Sequence, residues 1–264
     1  MDKKNSDIKI HTYQKILIIL IIILMIVFTF IDFRILNNTL SQTMVKNSIL
    51  RFLGGTIFII IMVGFHQKHI LRFKNVGKSI LIMIPALIIS INNFPIIAFL
   101  DGRATLREPV YQVYLFLIEC LSVGFFEEIV FRGIILMLLL KKLEHHKNGV
   151  LLSILFSSAI FGLSHIINFY SGLSFGDTML QIGYSFLVGM LWAVMFLKTG
   201  NLWLTMILHA TFNFFGQVMF LLGDVNGRYD IYTLLITIFF GVVVAFYSYN
   251  FYNQFKDQEI INFS

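Results

Sequence analysis

The segment Phe-Phe-Glu-Glu-Ile-Val-Phe-Arg-Gly, residues 125–133, lies inside an apolar run that covers residues 110–140. It contains three ionisable side chains, those of Glu127, Glu128 and Arg132. A charged side chain at the centre of a bilayer costs about 2.5–3.5 kcal/mol on insertion scales, so such residues pair, face a bundle interior or do chemistry. We therefore expect this segment to be the functional centre of the protein.

The composition indicates a membrane protein. The 264 residues are 58% hydrophobic and 13% charged, whereas soluble domains carry about 25% charged residues. We predict an all-α fold, a polytopic membrane helix bundle. The net charge of +6 does not indicate a nucleic-acid partner, because the distribution of basic residues between loops matters more than their sum. The single cysteine, Cys120, excludes an intrachain disulfide and a CxxC site.

Hydropathy predicts about eight transmembrane helices. The first resembles a signal peptide, but no small-residue cleavage site follows it, and we interpret it as a retained span. The fourth span would be about 46 Å long as one helix, so we expect tilt, a kink near Gly124 or an extension into the cytoplasm. Two prolines in the third span, Pro85 and Pro95, predict a kink there. The predicted spans are residues 16–31, 49–65, 78–100, 110–140, 150–169, 178–197, 202–222 and 231–251.

The distribution of basic residues predicts the topology. With the N-terminus inside, the inner segments hold 13 Lys and Arg residues and the outer loops hold 5, which favours both termini in the cytoplasm. We divide the chain into residues 1–109 with spans 1–3, residues 110–222 with spans 4–7, and residues 223–264 with span 8 and a cytoplasmic tail. The second of these parts contains the motif segment and is the predicted core.

Polar residues on three predicted spans fall at comparable depth. At 1.5 Å per residue, Glu127 lies about 21 Å and His165 about 22 Å from the inner ends of their spans. His209 and Asn213 lie about 12–18 Å from the same side. We therefore expect these four side chains to meet inside the bundle.

Helical geometry separates the roles of the two glutamates. Glu128 and Arg132 are i,i+4 neighbours in the order that favours an ion pair. Glu127 is rotated about 100° from Glu128 and should face elsewhere, where desolvation of its carboxylate would suit a general base. His209 and Asn213 share one helix face, since they too are four residues apart.

Spacing alone leaves the chemistry open. A carboxylate, two imidazoles and an amide could activate a water molecule and stabilise an oxyanion. Alternatively, Glu127, His165 and His209 could hold a metal such as zinc with one open coordination position. The structural alternative is that the histidines and Asn213 only make interhelical hydrogen bonds, and that Glu128 and Arg132 form an ion pair that stabilises the fold.

Three short motifs resemble one family. Residues 127–132 match EExxxR, residues 161–165 match FxxxH, and residues 209–213 match HxxxN. In this order, on separate spans, they resemble the CPBP family of intramembrane proteases, which includes type II CAAX prenyl endopeptidases and bacterial Abi or bacteriocin-immunity-like proteins. The resemblance covers about residues 110–220.

The resemblance implies an endopeptidase that hydrolyses a peptide bond of a membrane-associated substrate, prenylated or bacteriocin-related. It implies that Glu127 and His165 activate water, that His209 and Asn213 stabilise the oxyanion, and that Glu128 and Arg132 support the site. Both a metalloprotease and a metal-free glutamate mechanism are argued for the family, so the cofactor is zinc or none. The expected location is a bacterial plasma membrane, with the lipid bilayer and a membrane-embedded or lipid-associated substrate as partners.

Two other functions compete with proteolysis. A non-enzymatic protein could bind a bacteriocin or its receptor and confer self-immunity, with the motif residues as a packing network. A transporter is the third alternative, but the sequence shows neither an internal repeat nor a pair of Gly/Pro-broken spans, which argues against it.

Overall fold

The computed structural model describes most of the chain. It covers residues 31–64, 67–73, 75–170, 172–226 and 231–255, together with Ile19, Leu20, Ile23 and Val27. Most of the predicted first span, residues 16–31, lies outside the described residues. Four of the described helical segments are long and apolar enough to cross a membrane: Thr39–Gly64, Gly149–Tyr170, Phe175–Thr199 and Leu202–Leu221. The predicted all-α membrane helix bundle is confirmed, and the total of eight spans stays a prediction.

The described elements follow one another as helices with one short β-ribbon. A 3₁₀ turn, Lys68–Leu71, precedes α2, and a π-helical segment, Ile129–Leu136, joins α4 to α5. The strands are β1 (Ala104–Leu106) and β2 (Gly223–Val225). The α-helices are α1 (Thr39–Gly64), α2 (Val76–Asn92), α3 (Ile96–Leu100), α4 (Val110–Glu128), α5 (Met137–Lys142), α6 (Gly149–Ser164), α7 (Ile167–Tyr170), α8 (Phe175–Thr199), α9 (Leu202–Leu221) and α10 (Ile231–Phe255).

Helix α1 begins ten residues before the start predicted for the second span. The Asn38 side-chain oxygen accepts a hydrogen bond of 2.8 Å from the Ser41 backbone N–H, which satisfies one of the free donors of a helix N-terminus. A polar residue in the added turns also has a partner, because Asn47 donates a hydrogen bond to Glu119 of α4. The predicted loop over this stretch is wrong because this tertiary contact compensates for its low hydropathy.

The third and fourth predicted spans depart from regular helix at different points. The third breaks between α2 and α3 at Pro95, as its proline predicted, whereas Pro85 stays inside α2. The fourth remains a regular α-helix through Gly124. Its departure from α-helical hydrogen bonding lies at Ile129–Leu136, directly after the two glutamates, and π-helical turns of this kind are frequent at functional sites.

The β-ribbon was not predicted. β1 and β2 pair antiparallel with Thr105 opposite Asp224, and Arg107 forms an ion pair with Asp224. Three-residue strands carry too little alternation to be detected in a sequence. The ribbon joins the loops that follow the third and seventh predicted spans, which agrees with the predicted placement of both loops on one side of the membrane.

Close helix packing in the bundle depends on glycine at two contacts. A Cβ atom on Gly124 of α4 would lie 2.5 Å from the backbone oxygen of Met206 in α9. A Cβ atom on Gly162 of α6 would lie 2.8 Å from the backbone oxygen of Ile182 in α8. The buried core runs along α8 and the π-helical segment, where Trp192 and Ile129 are 0% exposed.

We predict that Gly124→Ala destabilises the protein by about 1–3 kcal/mol, because an added methyl group meets backbone that cannot move without separating α4 from α9. The matched control is Gly183→Ala in α8, where an added Cβ has no heavy atom within 4 Å. The melting temperatures of both variants are measured by thermal unfolding in detergent. Equal melting temperatures for the two would contradict the packing argument.

Candidate active site

A cavity of about 470 Å³ lies within the bundle. Helix α4 lines it with Phe116, Glu119, Val123 and Glu127, whose spacing of three to four residues defines one helix face. Helix α9 lines it with His209, Asn213 and Gln217 at four-residue steps. Residues of α1, α6, α7 and α8 complete the wall.

The structure brings four predicted site residues to this one cavity, namely Glu127, His165, His209 and Asn213. They come from α4, the end of α6 and α9, as the depth comparison predicted. The two predicted support residues, Glu128 and Arg132, lie behind the wall and are 0% and 1% exposed. Their different burial agrees with the helical rotation that separates Glu127 from Glu128.

Glu128 joins two cationic or potentially cationic groups through one oxygen. Its Oε1 accepts a hydrogen bond of 2.8 Å from Arg132 Nη1 and lies 2.7 Å from His209 Nδ1. The predicted i,i+4 ion pair is confirmed, and the contact to His209 was not predicted. Arg132 Nη2 also donates to the Gly189 carbonyl oxygen of α8 at 3.1 Å, so the pair connects α4 and the π-helical segment to α8 and α9.

This contact fixes the orientation of the His209 ring. A carboxylate paired with an arginine is ionised and can only accept hydrogen bonds, so His209 Nδ1 donates to Glu128. His209 Nε2 then faces the cavity side, where it lies 3.5 Å from Glu127 Oε2. The Glu127 side chain is 22% exposed, and its Oε2 accepts no hydrogen bond from the described residues.

Phe161, the first residue of the FxxxH motif, holds the rings and the guanidinium together. Arg132 Cζ lies 4.7 Å from the Phe161 ring centroid, a cation–π geometry. The His165 and His209 rings contact the same ring edge-on at centroid distances of 5.1 and 5.7 Å. Trp192 covers another side of His209 at 6.4 Å. These aromatic residues explain why both imidazoles have defined orientations.

His165 caps the end of α6 and lies at the cavity wall. Its Nδ1 is 3.0 Å from the Phe161 carbonyl oxygen. A carbonyl oxygen can only accept, so Nδ1 carries the proton and donates. In the neutral ring, Nε2 is then free to accept a hydrogen bond from a group in the cavity.

Sequence reasoning missed a second charged group on the same cavity wall. Arg51 and Glu119 line the cavity, and Arg51 Nη1 lies 3.1 Å from Glu119 Oε1. Asn47 Nδ2 donates to the same oxygen at 2.8 Å. The signal was present, because both ionisable residues interrupt apolar helices just as Glu127 does.

The predicted metal ligands share one cavity but do not form a ligand cluster. Among the described residues, no group of three His, Cys, Asp or Glu side chains is placed to hold a metal ion. The Nδ1 contacts of His209 and His165 leave both Nε2 atoms free, so they do not decide the question. The described side chains nevertheless do not form a three-ligand zinc site.

Part of the chain matches a known protein family. Residues 109–215 match the family model described as type II CAAX prenyl endopeptidase Rce1-like. This match, over 107 of the 264 residues, supports the resemblance drawn from the three motifs. No curated protein and no solved structure matches the chain at a significant level.

We predict that Glu128→Ala destabilises the protein by about 3–5 kcal/mol, because it leaves the buried Arg132 without a counter-charge. Glu127→Gln should cost less than about 1 kcal/mol, since the side chain is partly exposed and the replacement is isosteric. Expression level and thermal unfolding in detergent compare the two variants. Similar melting temperatures would show that Glu128 does not hold the site together.

Proposed function

We propose that the protein is an intramembrane endopeptidase in which Glu127 activates the attacking water molecule. The observation that carries the proposal is the cavity that unites Glu127 with His165, His209 and Asn213. In that cavity Glu127 Oε2 is buried and accepts no hydrogen bond from a described residue, so an oxygen lone pair is available to a water molecule. The bilayer excludes bulk water, and a general base inside it needs such a polar chamber.

The reaction follows from the positions of the polar atoms. The Glu127 carboxylate takes a proton from water while the water oxygen bonds to the carbonyl carbon of the scissile peptide. The carbonyl oxygen becomes an oxyanion. Glu127 then gives its proton to the amide nitrogen, the C–N bond breaks, and the products are a carboxylic acid and an amine.

His165 and His209 take different parts in this scheme. Nε2 of neutral His165 accepts a hydrogen bond from the water and orients it toward the substrate. His209 has its Nδ1 committed to Glu128, so only its Nε2 can contact a reacting group. Donation from Nε2 to the oxyanion requires the doubly protonated ring, and Asn213 Nδ2 supplies a second donor at any pH.

The proposed substrate is a membrane-embedded or lipid-associated peptide. The family description names CAAX prenyl endopeptidases, and a prenylated chain end is one substrate that would reach a cavity inside the bilayer. A bacteriocin-related peptide is another. The richness of the chain in Ile and Asn supports placement in the plasma membrane of a bacterium.

Self-immunity without catalysis is the second candidate function. It requires the motif residues to act only as packing. The complete burial of Glu128 and its two hydrogen bonds through Oε1 fit a packing role. Glu127 does not fit it as well, because its side chain is 22% exposed and lines the cavity.

We predict that Glu127→Gln lowers cleavage of a genuine substrate by about 10²–10⁴-fold, the usual contribution of a general base. The matched control is Glu144→Gln, since Glu144 is a loop residue with a side chain 57% exposed. Cleavage is measured by mass spectrometry of the products in proteoliposomes. Unchanged cleavage by a folded Glu127→Gln protein, or full immunity conferred by it, would favour the non-enzymatic alternative.

We predict that the purified protein holds no stoichiometric zinc, because no three His, Cys, Asp or Glu side chains among the described residues are grouped as metal ligands. Elemental mass spectrometry should give the same low metal content for the wild type, His165→Ala and His209→Ala, and chelators should leave cleavage unchanged. Roughly one zinc per chain that is lost in both variants would instead establish a metalloprotease site.

A further inference from the structure

The cavity lies toward one end of the helix bundle. On α1 its lining residues run from Leu40 to Arg51, which is the first half of that helix. On α9 they run from His209 to Leu221, the last residue of the helix. Helix α7, which follows α6, adds Ile167 to the wall. The cavity is therefore nearer to the end of the bundle at which α1 begins and α6 and α9 end.

Contacts between loops define this end of the bundle, which we call the mouth end. The β-ribbon joins the loop before α4 to the loop after α9. Asn168 of α7 donates a hydrogen bond of 2.8 Å to Gln181 of α8, and both side chains line the cavity. The described loop residues of the mouth end are 31–48, 101–109, 165–170, 172–174 and 222–226.

The opposite end of the bundle, which we call the basic end, has its own contacts. Trp203 Nε1, at the start of α9, donates to the Leu71 carbonyl oxygen at 2.7 Å. This bond places the 3₁₀ turn before α2 beside the turn between α8 and α9. The described loop residues of the basic end are 67–73, 75–78, 141–149 and 198–201. Among the described residues, none of these lines the cavity.

The two ends differ in their content of basic residues. The basic end holds seven Lys and Arg residues among its 24 described loop residues. The mouth end holds four among its 41. Short cytoplasmic loops of membrane proteins carry an excess of Lys and Arg. The basic end is therefore the cytoplasmic one, and the mouth end faces away from the cytoplasm.

The exposure of the lining residues shows where the cavity opens. Trp192 and His209, at the level of the two glutamates, are 0% and 4% exposed. Ile167 and Leu221, at the mouth end, are 39% and 40% exposed. All four residues line the same cavity. The wall is therefore closed beside His209 and open where α7 and the end of α9 meet.

Exposed aromatic residues stand beside this opening. Tyr170, the last residue of α7, is 83% exposed, and Phe175, the first residue of α8, is 66% exposed. Aromatic side chains are enriched at the interface between a membrane and water. Their position places the opening at the level of the lipid headgroups, where a peptide bound to the membrane surface can reach it.

We infer that the cavity opens at the extracytoplasmic face of the bilayer and that its substrate is an exported peptide at that face. The inference rests on the proposed function and decides between the two substrates considered for it. A chain end that is prenylated in the cytoplasm would approach from the basic end, which contributes no described residue to the cavity wall. An exported, bacteriocin-like peptide meets the open end.

The orientation is tested with single-cysteine variants. Cys120 is the only cysteine, so Cys120→Ala supplies a cysteine-free background. Leu221→Cys and Tyr170→Cys report on the mouth end. The matched control is Glu144→Cys at the basic end, where the side chain is 57% exposed. A charged maleimide added to spheroplasts should label both mouth-end variants about 10-fold more than Glu144→Cys, because charge slows passage through the bilayer. All three should label equally after lysis.

The substrate class is tested with right-side-out and inverted vesicles from the same cells. The probe is a pool of quenched fluorescent peptides with charged ends and a randomised aliphatic centre. Right-side-out vesicles should cleave the externally added pool about 10-fold faster than inverted vesicles, since the charges keep the peptides on the side of addition. Vesicles that carry Glu127→Gln supply the background rate, which is subtracted.

The outcomes separate the inference from the function on which it rests. Labelling of Glu144→Cys but not of the mouth-end variants in spheroplasts would overturn the inference. Glu127-dependent cleavage confined to inverted vesicles would also overturn it, but the proposed endopeptidase would stand, with its cavity open to the cytoplasm. Absence of Glu127-dependent cleavage in both orientations would overturn the proposed function and the substrate class with it.

Discussion

The site depends on one carboxylate oxygen. Glu128 Oε1 binds both Arg132 and His209 at 2.8 and 2.7 Å in a part of the bundle that excludes water. Desolvation offsets much of the attraction within a buried ion pair, whereas removal of one partner is strongly destabilising because it leaves a buried charge unpaired. The pair also fixes the tautomer of His209, because the ionised Glu128 accepts a hydrogen bond from Nδ1. A structural ion pair therefore determines the chemistry available at the cavity wall.

The second constraint is the Phe161 ring, which contacts Arg132 and both imidazoles. An aromatic face attracts a cation, and an aromatic edge carries partial positive charge. One ring can thus hold a guanidinium on its face while histidine rings meet it edge-on. The FxxxH motif is explained by this geometry, because Phe161 and His165 lie one helical turn apart and the phenylalanine carbonyl also orients the histidine.

The cavity has a different charged group at each end. Glu127 and His209 lie at one end, and Arg51 with Glu119 lies about 12 Å away along α4. Between them on α4 the wall is formed by Val123.

The sequence by itself determined the membrane class, most helical segments, the Glu128–Arg132 pair and the convergence of four polar residues. These depend on local quantities: hydropathy, helical rotation and rise per residue. Only the tertiary structure decided what depends on which helices are neighbours. It showed that His209 is held by Glu128, that α1 extends back to Thr39, and that Arg51 and Glu119 meet across 68 residues of chain. No helical period encodes such contacts, because each arises from side chains whose helices approach only in the folded bundle.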